Sequence, residues 1–389
     1  MEMKPKPNEK KNGVSYVCLY LFAFCAVGAF SPLLGQYLRS IGFSGTQIGT
    51  ITASGIAVAI LTSAFWGRLY QKSENKKRFI FKLAIMAAFV CASLYFVQTY
   101  LLFLFLFCAL YFFQAPSIVL IDAMTIEDGR AFGAVRKWGA VGFALGVFVS
   151  GNIAEFIGPS VIFFLYAGGF LLFAAVAYGM SRRGRYQQSI PIETLPEKSK
   201  GALYQNKKYV KLLVCAFFIH GTITANNTYF GFLFIEGGGT IAGIGFAFLL
   251  MAGSEVPFMA WADKLAKTFT LEKTLFIAIC LSAIRFAWYA TGPPASLLLA
   301  LFFLQGMATG IIIVEFVRYI SKVVDAKDLG FAVSIYYALG AGLSGIVCQM
   351  AAGIILDYFN AGGVYVFFSC MNLIGAAVYV AGKLYQDRE

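Results

Sequence analysis

Residues 101–124, LLFLFLFCALYFFQAPSIVLIDAM, hold a single charged side chain, Asp122, close to their end. As a helix this stretch is about 36 Å long, enough to cross the roughly 30 Å hydrocarbon core of a bilayer. It is continuously apolar, whereas a strand of a membrane barrel alternates over about 10 residues. A helix also satisfies its own backbone hydrogen bonds in lipid. Working outward, further stretches of this kind run over 14–35, 47–70, 79–97, 137–157, 160–180, 209–232, 241–265, 273–290, 295–320, 329–356 and 363–381. The expected fold is therefore an all-α integral membrane protein with twelve transmembrane helices.

Composition agrees: 59% of residues are hydrophobic, 13% are charged, and the mean hydropathy is +0.75. The eight cysteines all fall within these stretches, without metal-site spacing, and read as free thiols packed as small apolar groups. The net charge of +12 does not indicate a nucleic-acid partner, because the basic residues crowd alternate connections. They gather in 4–11, 72–78, 130–137, 182–211, 264–273, 318–327 and 383–388, while the intervening connections carry only Arg39. By the positive-inside rule both termini and the long central connection face the cytoplasm. The implied partners are the lipid of a cell membrane and a small-molecule substrate.

The polar connection 181–208 separates helices 14–180 from helices 209–381, flanked by cytoplasmic tails 1–13 and 382–389. Ile48, Gly49 and Leu69 recur as Ile244, Gly245 and Leu265, each offset by 196 residues. Two six-helix halves related as parallel repeats follow from this, a transporter architecture.

Four segments carry a family resemblance: GAVRKWGAVGFALG (Gly133 to Gly146), GSEVPFMAWADKL (Gly253 to Leu265), SAIRF (Ser282 to Phe286) and one that ends at Val317, Arg318, Tyr319 and Ile320. With them the chain resembles the major facilitator superfamily, most closely its lactose permease and phenylpropionate permease branches. The resemblance implies the major facilitator fold, a solute site near the midplane between the halves, alternating access and a monomeric unit. It also implies proton-coupled uptake of a small polar organic solute such as a sugar, nucleoside or aromatic acid. No cofactor is expected, and the driving ion is H+. An exporter of the same fold is the alternative, with a membrane enzyme or pore behind it; no phosphate loop or catalytic cluster is apparent.

Ionisable groups within spans mark the candidate site, because a charge at the bilayer centre costs at least about 2.5–3.5 kcal/mol. Arg136 matches a substrate-binding arginine of the resembled branch, and Asp122 an acid of the phenylpropionate branch. A short connection joins their helices, so the two can meet. Phe143 falls where that branch stacks an aromatic ring on sugar. Glu255 lies roughly 15–20 Å from either end of its span, where the resemblance puts a binding and coupling glutamate. Arg285 matches an arginine that sets proton affinity. Gln305 stands in place of a histidine, and Asn226 and Asn227 in a region where the branch has acids. His220, the only histidine, is a further candidate for proton coupling. Gln71 replaces the usual Asp of the first cytoplasmic gating loop, whereas its counterpart keeps Asp263 and Lys264. Glu315 and Arg318, three apart near a cytoplasmic end, read either as a gate or as a local pair.

Overall fold

The computed structural model describes residues 7–130, 132–183, 200–325 and 327–386, which form helices and, among the described residues, no strand. In chain order these are α1 (Pro7–Ser40), α2 (Gly45–Lys72), α3 (Lys76–Leu94), α4 (Tyr100–Glu127), α5 (Phe132–Ile157) and α6 (Val161–Arg183). There follow α7 (Lys200–Gln205), α8 (Lys207–Glu236), α9 (Ile241–Phe269), α10 (Leu271–Tyr289), α11 (Ala295–Ala300) and α12 (Phe303–Val323). The last are α13 (Leu329–Tyr337), a π-helical segment (Ala338–Leu343), α14 (Ser344–Tyr358) and α15 (Ala361–Ala381).

Ten spans among the described residues are long and apolar enough to cross a membrane. The stretches expected at 79–97 and 273–290 are α3 and α10, of 19 residues each, which open on Lys76, Lys77 and Arg78 and on Glu272 and Lys273. Charge in the first turn shortens their apolar run. The stretch 295–320 is divided between α11 and α12, with Leu301 and Phe302 at the junction. The stretch 329–356 is divided by the π-helical segment, whose Gly340 and Gly342 are poor helix formers. Side-chain caps fix several starts: Asn75, Asn206, Thr240 and Asn360 each accept a backbone N–H three residues on.

Contacts divide the chain into one unit of Met1–Tyr37 with Ser54–Ile192 and another of Leu38–Ala53 with Glu193–Glu389. Most of the expected central connection, residues 184–199, lies outside the described residues. In the first unit α3 packs against α4 and α6. Its aromatic core includes Phe30, Phe103, Phe107, Phe163 and Tyr166, with the Phe30 and Tyr166 rings 5.2 Å apart. On α4, Phe103 and Phe107 are wholly buried, whereas Leu101 and Phe105 are 74% and 69% exposed. A large apolar side chain exposed on a helix of this length is lipid-facing surface. In the second unit α8 packs against α14 and α15, and buried Tyr209, Phe316, Tyr319, Tyr336 and Tyr379 anchor the core.

The start of α2 belongs with the second unit for a local reason. The Asp357 carboxylate on α14 accepts the backbone N–H groups of Gly45 and Thr46, at 2.5 and 2.7 Å, and the Thr46 hydroxyl at 2.6 Å. It thus satisfies unpaired donors of the first turn and complements the helix dipole. A Cβ on Gly45 or Gly353 would stand 2.5 or 2.3 Å from the other's backbone oxygen, so only glycine admits this approach. About two turns along α2, the Thr52 hydroxyl donates to Gln349 Oε1 at 3.0 Å.

Candidate functional site

In the first unit, small residues bring α1 and α5 into backbone contact. A Cβ on Gly142 would lie 2.3 Å from the Leu21 carbonyl oxygen, and one on Gly146 2.0 Å from that of Cys25. From α1 in turn, a Cβ on Gly28 would meet the Phe143 carbonyl oxygen at 2.2 Å. This is the small-residue helix packing common in membranes. It presents one face of α1, with Tyr16, Tyr20 and Phe24 at four-residue spacing, to the polar groups of α4 and α5.

Those groups include the two sequence candidates. Arg136 Nε lies 3.6 Å from Asp122 Oδ1, each side chain being about one-third exposed, at 36% and 32%. The Tyr20 hydroxyl donates to the same Asp122 oxygen at 2.6 Å and shares a 3.1 Å hydrogen bond with the Thr125 hydroxyl. The Arg136 guanidinium lies over the Phe24 ring at 4.3 Å and nearer the edge of contact with Tyr20 at 5.7 Å. Gly139 leaves room for it, since a Cβ there would stand 2.8 Å from Arg136 Nη1. The result is a neutralised acid–base pair, open on one side and backed by an aromatic face. Beyond the end of α4, Tyr16 donates to Asp128, which pairs with Lys77 at 3.2 Å. Lys76 pairs with Glu127 at 2.8 Å.

Phe143 is half-buried and contributes its backbone to the contact with Gly28; the rings that face Arg136 are those of Phe24 and Tyr20. Tyr20 and Phe24 were missed in the sequence because they belong to a different helix. Their four-residue aromatic spacing was the available signal.

In the second unit, Glu255 is half-buried on α9, opposite Gly306 and Gly310 of α12. A Cβ on Gly306 would meet the Glu255 backbone nitrogen at 3.0 Å, and one on Gly310 would meet its Cγ at 3.4 Å. One turn earlier, Met251 Sδ accepts from Gln305 Nε2 at 3.1 Å. Gln305 Oε1 in turn accepts from Arg285 Nη1 at 2.6 Å. Gln305 therefore links Arg285 to the helix that carries Glu255. Asn226 is fully buried and accepts the Tyr365 hydroxyl at 2.8 Å. Asn227 follows about 100° around the helix, so the two asparagines do not share a face.

His220 is buried on α8, with Nε2 2.5 Å from the Tyr336 hydroxyl and its ring 5.3 Å from that of Phe316. It faces the π-helical segment: a Cβ on Gly340 would lie 3.6 Å from its ring. Glu315 is wholly buried and accepts from Arg318 Nη1 at 3.0 Å, the expected i,i+3 pair. Asp263 and Lys264 fall outside the residues whose side chains the structure describes.

Apolar helices of membrane-crossing length, with ionisable groups held inside the spans of each unit, define a polytopic membrane transporter. The chain belongs to the MFS_1-like family, whose model matches residues 14–367. It thus has the major facilitator fold, and it is a carrier, not an enzyme. It is 33% identical over 364 residues to the maltose permease of Geobacillus stearothermophilus, covering 92% of this chain and 91% of that one. Identity to a probable 3-phenylpropionic acid transporter of Escherichia coli is 22%, over 88% and 91% of the two chains. Among solved structures, a mutant of the nucleoside transporter NupG superposes with a TM-score of 0.82 at 16% identity, covering 95% of this chain and 99% of that one. A D-xylose–proton symporter superposes with a TM-score of 0.70 at 13% identity, covering 94% and 95%. Bacterial relatives of this family place the chain in the plasma membrane as a multi-pass protein.

Proposed function

We infer that this chain is a proton-coupled symporter that takes up a small polar organic solute, with a sugar as the favoured cargo. The observation that carries this reading is the Asp122–Arg136 pair with Tyr20 and Phe24. A solute hydroxyl can donate to the carboxylate and accept from the guanidinium together, while an aromatic face packs against the apolar face of a sugar ring. Because the arginine already has its counter-charge, a neutral solute suits the pair better than an anion. The maltose permease relative supports the same solute class.

Uptake is favoured over export because the permease relative spans 92% of this chain, whereas multidrug resistance proteins match only 38–56% of it. In this reading the chain acts as a monomer with twelve spans and both termini in the cytoplasm. Glu255 carries the coupling proton, Arg285 biases its affinity through Gln305, and Asp122 and His220 are the next carriers to test. Asn226 and Gln305 order the interior around the binding side chains. Asp263, Lys264, Glu315 and Arg318 latch cytoplasmic helix ends.

The test is counterflow of maltose and of a panel of sugars, nucleosides and aromatic acids in proteoliposomes, with and without an inward proton gradient. Saturable sugar counterflow, with accumulation only under the gradient, is expected. Transport confined to aromatic acids, or accumulation without a proton gradient, refutes the reading.

A further inference from the structure

Ser282, Arg285 and Tyr289 of α10 stand at i, i+3 and i+7 on one helix face, and none is more than 4% exposed. An arginine keeps its charge at any working pH, so burial cannot be relieved by losing the proton. The Arg285 guanidinium lies 4.2 Å from the centre of the Phe286 ring and 5.2 Å from that of Tyr289, and its hydrogen-bond acceptor is the neutral amide oxygen of Gln305. Among the described residues no carboxylate lies within ion-pair distance of it. Of the buried acids of this unit, Glu315 and Glu272 are taken by Arg318 and Lys322, and Asp328 stands at the start of α13.

Several unsatisfied groups of this unit can donate, while its unsatisfied acceptors are Asn372 Oδ1 and the second carboxylate oxygens of Glu272 and Glu315. Arg285 Nε, the Ser282 hydroxyl and Asn226 Nδ2 are buried without a protein partner, and the Tyr289 hydroxyl, set against the Arg285 guanidinium, donates to no protein group. Ser282 shares a face of α10 with Arg285 and Tyr289, and Asn226 is joined to Tyr289 through Tyr365: the Tyr289 ring meets Tyr365 at 5.2 Å, and the Tyr365 hydroxyl bonds Asn226 at 2.8 Å. A buried charge needs a counter-charge, and buried donors need acceptors. One species supplies both.

We propose that this cluster is a binding site for one compact monovalent anion of halide size, held by Arg285 with Ser282, Tyr289 and Asn226 as donors. The rings of Phe286, Tyr289 and Tyr365, each wholly buried, pack against one another beside the guanidinium, which suits a small ion better than an organic solute. It lies in the second unit, apart from the Asp122–Arg136 pair, and does not depend on which solute is carried. Chloride is the abundant ion of this class.

The test uses the full chain purified in detergent, with thermal unfolding followed by tryptophan fluorescence. Sodium gluconate is replaced stepwise by sodium chloride or bromide at constant ionic strength, with sodium acetate as a parallel arm. A saturable rise of about 5 °C with halide is expected for the unmodified chain. Arg285→Gln removes the cation and should abolish the rise. Gln305→Glu places a carboxylate where the amide now accepts from Arg285, so it should raise the midpoint in gluconate and remove the halide response. Should either variant fail to fold, Tyr289→Phe and Ser282→Ala, which each delete one donor, should shift the halide midpoint several-fold to higher concentration. Absence of a halide response in the unmodified chain overturns the proposal. So does a response unchanged by these substitutions, or one to acetate and not to halide, which would assign the cluster to a carboxylate.

Discussion

Replacing Arg136 by Gln removes the cation but keeps a planar group of similar reach, so it separates binding from folding. At 3.6 Å and an effective dielectric constant of about 20, the attraction to Asp122 is about 5 kcal/mol before desolvation. Both side chains are about one-third exposed, and pairs so placed contribute a net of about 1 kcal/mol or less to stability. Asp122 also retains its 2.6 Å bond from Tyr20. The unfolding midpoint should therefore fall by no more than about 4 °C. Solute binding stands differently, because a hydrogen bond to a charged group is worth about 1.5–3 kcal/mol, or roughly 10–150-fold in affinity. Arg136→Gln should therefore raise the half-saturating maltose concentration in counterflow by at least about tenfold. Arg136→Lys, which keeps the charge but loses the fork and the stacking on Phe24, should fall between. Reconstituted protein at matched density gives the flux, and thermal unfolding of the same preparations gives stability. Unchanged half-saturation in Arg136→Gln would refute the assignment. A collapse of the unfolding midpoint in proportion to the lost flux would make the pair structural.

Glu255→Gln should still exchange solute at equal pH on both sides but fail to accumulate it under an inward proton gradient, since the amide cannot release a proton; full accumulation would move the coupling role elsewhere. Gly146→Ala places a methyl 2.0 Å from the Cys25 carbonyl oxygen, so α1 and α5 must part by about 1 Å. Overpacking of this kind costs about 1–3 kcal/mol. Its unfolding midpoint should drop by several degrees and its affinity should fall with it, and an unaltered midpoint would show that the helices are not held in contact. A cysteine introduced at Gly238 should react with an impermeant reagent from outside, while tags at both termini report the cytoplasm; the opposite pattern would invert the topology.

Residues 101–124 were readable as a membrane helix because hydropathy sums over some twenty neighbours in the chain, so no tertiary partner is needed to decide it. The same holds for the i,i+3 pairing of Glu315 with Arg318, and for Asp122 with Arg136, whose helices are joined by a short connection. Partners on distant helices were not readable. Tyr20 meets Asp122 across 102 positions, and Asp357 caps the start of α2 across more than 300. Nor did the pattern of α10 show that Arg285 would be left with an amide in place of an acid. Lipid accepts almost any apolar face, so a local pattern says that a helix spans but not which neighbour it meets. That choice rests on close packing, here at Gly28, Gly142, Gly146 and Gly306, where the absence of a Cβ lets particular backbones touch and so decides which polar groups share an interior.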